Sequence, residues 1–491
     1  MSEGPERDVL AESLTSGIIP GSIDVNIMVK LDSMNSDSGG NPLGDEFSDA
    51  KAALRGYANS NLDSAIVLSA GFNKSLFSYM SRFQDFYPDE SGDIRKRIIL
   101  KVSDFRSSLI QGRVLAKKGL EVWEFRIESG LNCGGHAFPT NGHLLPGILR
   151  EFNENRDRLG TEFQKLIQKY YKAKDMAYPD TALSRRPLIT VQGGVGNNGE
   201  NRRLMEYFGM DLTGWGSPFL LVPETTCVDE TTRELLRQAG EKELYLSDAS
   251  PFGIPFNNVR NSGSDIRTRE LAAKGRTGYP CSKGFLVSNT EFSEKKICLG
   301  SRQYQMKKLE KIDGSECSES EKGKLRRKVT EKACLCEHLS NSALIALGLA
   351  KEDESPQAIC PGPNIAWFDR YYTLEEMVDH IYGRGPDLLS SERPHMFANE
   401  IVMYVDYFEK QIENCSCSPK EISRLHEYKD NLEQGMDFCL NLAEARAYPG
   451  ENLASISDCV KKQRARLRSL QHDFEEKVSI GKLEPEPAGR S

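Results

Sequence analysis

LITVQGGVGNNGENRRLMEYFGMDLTGWGSPFLLVPE, Leu188–Glu224, carries the pattern on which the fold turns. Leu188–Gln192 is a short run with β-branched residues, followed at once by Gly193 and Gly194. A helical stretch, Glu200–Phe208, comes next. A second short run, Leu212–Gly216, then leads into a loop built on Gly216 and Ser217. Glycine lets the backbone approach a ligand closely, and turn amides or a helix start point N–H groups at it. Strand, glycine pair and helix therefore read as a phosphate site. A tight strand-to-helix turn would use the same residues. Two such loops one βα unit apart are more specific than either alone, because β/α barrels share one phosphate between neighbouring strand-end loops.

Upstream the alternation runs back to residue 22. Ser22–Val29, Ala65–Ala70, Arg97–Val102 and Glu121–Ile127 read as strands. Phe105–Lys118 and Leu144–Tyr171 have apolar residues at three-to-four spacing and read as helices. Strand–helix alternation of this kind means βαβ units and a parallel sheet. After the fourth strand comes RIESGLNCGGHAF, Arg126–Phe138, a glycine-rich turn that presents His136. At the C-terminal edge of a parallel sheet a histidine is placed for proton transfer, since its ordinary pKa of ~6.5 lies near working pH. A histidine that only bonds backbone is the competing reading, and it suits His143 better.

The expected layout is a β/α barrel over residues 1–262, a cysteine-rich region over 263–370, a helical region over 371–480 and a disordered tail over 481–491, with a polar linker starting near Asn261. Phe397–Ile412, Pro419–Ala447 and Ile456–Val478 read as long helices. In the first, Phe397, Ile401, Tyr404, Phe408 and Ile412 make one stripe, which is either core or a partner-binding face.

The net charge of −8 and pI of about 5.7 argue against nucleic acid or an acidic membrane surface as partner. KLRRK at 324–328 and KKQRARLR at 461–468 read as solvated helix faces. No stretch approaches 18 consecutive apolar residues, and residues 1–20 lack an apolar signal core, so a cytoplasmic location is expected. The 12 cysteines are then free thiols, metal ligands or redox groups. Cys281, Cys298, Cys334, Cys336 and Cys360 sit beside turn residues in GYPCSKG, ACLCEH and ICPGPN. An iron–sulfur cluster or, less well, zinc would take four such thiolates; buried free thiols are the alternative. His338 is a possible substitute ligand. Cys415 and Cys417 begin a polar helix hairpin and read as an exposed turn.

In the order KVSDFRSSLIQGRVLAKKGLEVWEFRIESGLNCGGH, then PLITVQGGVGNNGENRRLMEYFGMDLTGWGSPFLLVPE, then GIPFNNVRN, residues 20–262 resemble the nitronate monooxygenase (2-nitropropane dioxygenase-like) flavoproteins. The resemblance implies an FMN-binding TIM-type (β/α)8 barrel, similar to the flavin-dependent enoyl reductases. It implies that Gly193, Gly194, Gly216 and Ser217 hold the FMN phosphate. Gly134 and Gly135 would shape the turn of His136, the proton-transfer group, while Asn26 and Lys101 would lie near the flavin. Asn132 and Cys133 stand where the family has Glu-Ala. Only six strands are visible, and eight are needed for closure. KGFLVS at 283–288 and PNIAWF at 363–368 are candidates to complete the barrel.

The expected function is thus an FMN-dependent oxidoreductase acting on a small organic substrate, with a redox partner or a second copy as further partners. A flavin-dependent reductase of enoyl type with an iron–sulfur cluster and a non-catalytic flavin- or metal-binding scaffold are the alternatives. No separate GxGxxG nucleotide site is present.

Overall fold

The computed structural model describes residues 4–18, 21–27, 32–69, 73–128, 130–131, 141–416 and 418–483. Six short strands form one sheet in chain order: β1 Val25–Ile27, β2 Ser64–Leu68, β3 Lys96–Val102, β4 Glu124–Glu128, β5 Leu188–Gln192 and β6 Leu212–Gly214. β1–β2, β2–β3, β4–β5 and β5–β6 pair in parallel, with Asn26 opposite Val67, Ile66 opposite Ile98, Arg126 opposite Thr190 and Val191 opposite Thr213. Consecutive order means that every crossover steps sideways the same way, as in a β/α barrel. A doubly wound sheet reverses part-way.

The strand sequences explain the two faces. β2, SAIVL, is buried throughout, as a parallel strand covered on both sides should be. β4 and β5 alternate. Phe125, Ile127, Ile189 and Val191 are fully buried on one face, while Glu124, Arg126, Glu128, Thr190 and Gln192 share the other. That second, polar face is where the cavity described below forms.

Neither segment expected to complete the barrel is a strand. Residues 283–288 are turns and bends, with Gly284 at φ 70°, and are followed by an isolated antiparallel bridge between Asn289 and Ile297. Pro363–Trp367 is a 3-10 turn, and Pro363 lacks the N–H that a central strand would need. The other strands among the described residues are an antiparallel pair, β7 Leu244–Ser247 and β8 Phe256–Val259.

Two compact units divide the chain. The first comprises residues 1–100, 111–123 and 160–186, and the second 101–110, 124–159 and 187–491. In the first, Ala65, Val67 and Ile99 form an apolar cluster, and the rings of Tyr87, Tyr170, Tyr171 and Tyr178 pack edge-to-face and stacked. The second holds a bundle of three helices, Met396–Glu413, Pro419–Ala443 and Ala454–Leu483. The stripe Phe397, Ile401, Tyr404, Phe408 and Ile412 is buried in it, so the stripe is core and not a partner face. Tyr428 stacks on Phe408 with ring centres 5.7 Å apart. The basic runs are ion-paired, Arg326 with Asp313 at 2.7 Å and Arg466 with Asp406 at 2.5 Å. No helix of the described residues is long and apolar enough to cross a membrane.

Candidate functional site

Within the second unit, β4, β5, β6 and the loops after β5 and β6 enclose a cavity of about 340 Å³. Its wall includes Gly193, Gly194, Val195, Gly214, Gly216 and Ser217, so the two glycine loops read from sequence do meet at one place. The register explains this: Gln192 pairs with Gly214, which sets the loops side by side. Gly193 and Gly194 both take positive φ, 105° and 85°, a conformation open to glycine at little cost. A Cβ at Gly194 would lie 2.7 Å from the Leu131 side chain, so the position has no room for one either.

The polar strand face supplies the floor. Glu124 Oε1 accepts from Arg126 Nε at 2.7 Å and from Thr190 Oγ1 at 2.5 Å. Arg126, only part-buried, lends the cavity a guanidinium. At the strand ends Glu128 Oε1 accepts from Lys101 Nζ at 3.1 Å and from Gln192 Nε2 at 2.7 Å. Lys101 is thus tied into the polar face. Asn26 lies exposed on β1 and is not among the residues lining the cavity. Gly134, Gly135 and His136 lie outside the described residues. His143 is exposed.

The helix after the glycine pair begins as Asn198–Arg202 and continues as a π-helical turn, Arg203–Tyr207. Within its first turn Glu200 N donates to Asn197 Oδ1 at 3.1 Å, and just ahead of it Gly196 N donates to Glu200 Oε2 at 2.7 Å.

Behind the glycine loop stands a set of buried groups that the sequence reading missed. Arg393 Nη1 donates to Glu200 Oε1 at 2.6 Å, and Nη2 to the Gly194 carbonyl at 2.9 Å. Met396 N donates to the same Glu200 oxygen at 2.7 Å. Burial alone would raise the Glu200 carboxyl, but Arg393 and the N–H donors more than offset it and hold it below its ordinary value. His380 Nδ1 accepts from Leu388 N at 3.2 Å, so its Nε2 carries the proton and donates to the Gly196 carbonyl at 2.8 Å. Burial lowers its pKa. Glu451, bonded by Arg203 at 2.8 Å and by His395 at 3.1 Å, ties the next stretch of chain to the same core; burial opposes its charge, yet these donors hold it at about 2.

The flanks of the segment carrying His136 are gripped from the helical bundle. Gly130 packs against Met403 and Tyr404, Asn431 Nδ2 donates to the Asn141 carbonyl at 2.9 Å, and Leu145 N donates to Glu400 Oε2 at 2.9 Å. Glu400 is fully buried, which pushes its carboxyl up to about 8.

Cys281, Cys298, Cys334 and Cys336 lie near enough to act on one another's charge, while Cys360 is not among them. Among the described residues no three His, Cys, Asp or Glu side chains form a group that could hold a metal. Burial pushes the Cys298 thiol up to about 12 and Cys334 up to about 11, and it raises Cys336. Cys281 is exposed, and Cys360 is buried beside Ile359 of an apolar core. His338 is a satisfied core histidine: Nδ1 lies 2.7 Å from Ser264 Oγ, and burial lowers it to about 4. Cys415 is buried at its turn, and Cys417 lies outside the described residues.

No family model and no curated protein matches the chain. Among solved structures it is similar to the enoyl reductase domain of MlnA from the macrolactin biosynthesis cluster of Bacillus amyloliquefaciens, at 14% identity and a TM-score of 0.38 over 89% of each chain. It is also similar to a point mutant of FabK from Thermotoga maritima, at 12% identity and a TM-score of 0.31 over 55% of this chain and 69% of that one. A third is nitroalkane oxidase from Streptomyces ansochromogenes, at 12% identity and a TM-score of 0.31 over 73% and 80%. Likeness at this level establishes neither a shared activity nor a shared substrate.

Proposed function

We propose that this chain is an FMN-dependent oxidoreductase, acting on a small organic substrate in the manner of the nitronate monooxygenases. The single observation that carries the reading is the meeting of the Gly193-Gly194 and Gly216-Ser217 loops on one polar cavity at adjacent parallel strand ends. The residues fit a phosphate: glycine-loop backbone, the Ser217 hydroxyl and the Arg126 guanidinium converge there, at a size within the ordinary ligand-pocket range of ~300–1,000 Å³. Bound FMN would supply the hydride and electron chemistry. The chain's part is to fix the phosphate, to set the Lys101–Glu128–Gln192 chain at the strand ends, and to move a proton through His136, which follows β4 in the sequence.

The test is cofactor analysis with kinetics. Purified protein should release FMN on denaturation, and His136→Ala should keep the flavin while losing turnover. Oxygen consumption with a nitronate supports the oxygenase form. Oxidation of a nicotinamide donor with an enoyl thioester supports the reductase form instead. A colourless protein that neither releases nor takes up FMN would sink both.

A further inference from the structure

The ICPGPN turn reads in sequence as a loop that aims a thiolate; in the fold it aims an amide. Gly362, at φ 67°, and Pro363 turn the chain so that Asn364 reaches back to the glycine loop across about 170 residues. Asn364 is buried, and it lines the cavity. Its Nδ2 donates to the Gly194 carbonyl at 3.0 Å and to the Val195 carbonyl at 2.8 Å. Its Oδ1 accepts from Arg393 Nε at 3.1 Å and Nη2 at 2.8 Å. A guanidinium can only donate, so this contact fixes which end of the amide faces the loop. In a trans peptide the N–H lies antiparallel to the C=O of the same unit. Holding the Gly194 carbonyl therefore turns the Val195 N–H the other way, and Val195 also lines the cavity. The next N–H, of Gly196, is spent on Glu200.

We propose that Asn364 is a positioning residue for the anion site: it orients the Gly194–Val195 peptide so that the Val195 N–H meets the phosphate, and so sets a preference for a phosphorylated flavin. The inference rests on the FMN reading, and it gives the cysteine-rich region a part in the site.

Full-length wild type, Asn364→Leu and the isosteric Asn364→Asp would be titrated with FMN, with riboflavin and, in thermal melts, with inorganic phosphate. Both variants should lose roughly 10-fold or more in FMN affinity, the weight of one or two hydrogen bonds, while riboflavin affinity stays within about 2-fold. If FMN and riboflavin weaken alike, or FMN binding is unchanged, the proposal is overturned. A wild type that binds no flavin but is stabilised by phosphate, with both variants unresponsive, would refute the FMN reading and keep the anion site. A wild type indifferent to flavin and phosphate refutes both. If Asn364→Leu does not fold, Asn364→Asp decides.

Discussion

Replacing Arg393 with Met should cost this protein about 3–5 kcal/mol, the usual penalty for removing one partner of a buried ion pair. Both Arg393 and Glu200 are nearly inaccessible, at 5% and 1% exposure. The guanidinium bonds Glu200 at 2.6 Å, the Gly194 carbonyl at 2.9 Å and Asn364 at 2.8 Å. Methionine fills much of the volume, so the loss is mainly electrostatic and not a cavity. Glu200 keeps N–H donors from Gly196 and Met396, which places the cost inside that range and not above it. The sign of the pH dependence follows. In the wild type the Glu200 value is lowered, so its contribution is present above the ordinary carboxylate range and is lost as pH falls through the folded value. In Arg393→Met the unpaired carboxylate favours its protonated form, so the deficit should be larger at pH 8 than at pH 5. The assay is urea unfolding followed by circular dichroism for wild type, Arg393→Met, Glu200→Gln and the double variant. The double variant should recover part of the loss, with a coupling of about 1–3 kcal/mol. A cost below about 1 kcal/mol, or strict additivity, would refute the reasoning.

Three other outcomes are expected. Gly194→Ala should destabilise by about 1–3 kcal/mol and weaken flavin binding, since φ is 85° and the new methyl meets Leu131; unfolding and flavin titration on the variant check this. Glu400 has a raised folded value, so its contribution is full below the ordinary carboxylate range and is lost as pH rises toward about 8. The unfolding free energy of the wild type, from urea titrations, should therefore fall between pH 5.5 and 8 by an amount on the order of a few kcal/mol, and Glu400→Gln should remove that slope; equal slopes would contradict it. In native protein Cys281 should alkylate readily while Cys298 and Cys334 resist until denaturant is added, as mass spectrometry of labelled peptides would show.

What was legible in the sequence is what is local. The alternation in EFRIE and LITVQ and the glycine pair after it declare strands, faces and a ligand loop within a dozen residues. What was hidden is long-range. Nothing near Gly194 announces that Asn364 and Arg393 will hold its carbonyl, because polar partners in a core leave no periodic mark. The Val- and Phe-bearing run at 283–288 reads as a strand, yet Lys283 and Gly284 begin a turn there. Cysteines beside Pro and Gly read as ligands, yet among the described residues they form no group that could hold a metal. The β7–β8 hairpin escaped because each strand has only four residues, and Pro251, Gly253 and Pro255 between them read as plain loop.

The most direct test of the account is a visible absorbance spectrum of the purified protein, before and after FMN is added, with the mass of any released cofactor. The account predicts a flavin spectrum, FMN released at about one per chain, and loss of that spectrum in Gly194→Asp, where a carboxylate faces the phosphate. A colourless protein that leaves added FMN unperturbed would contradict it.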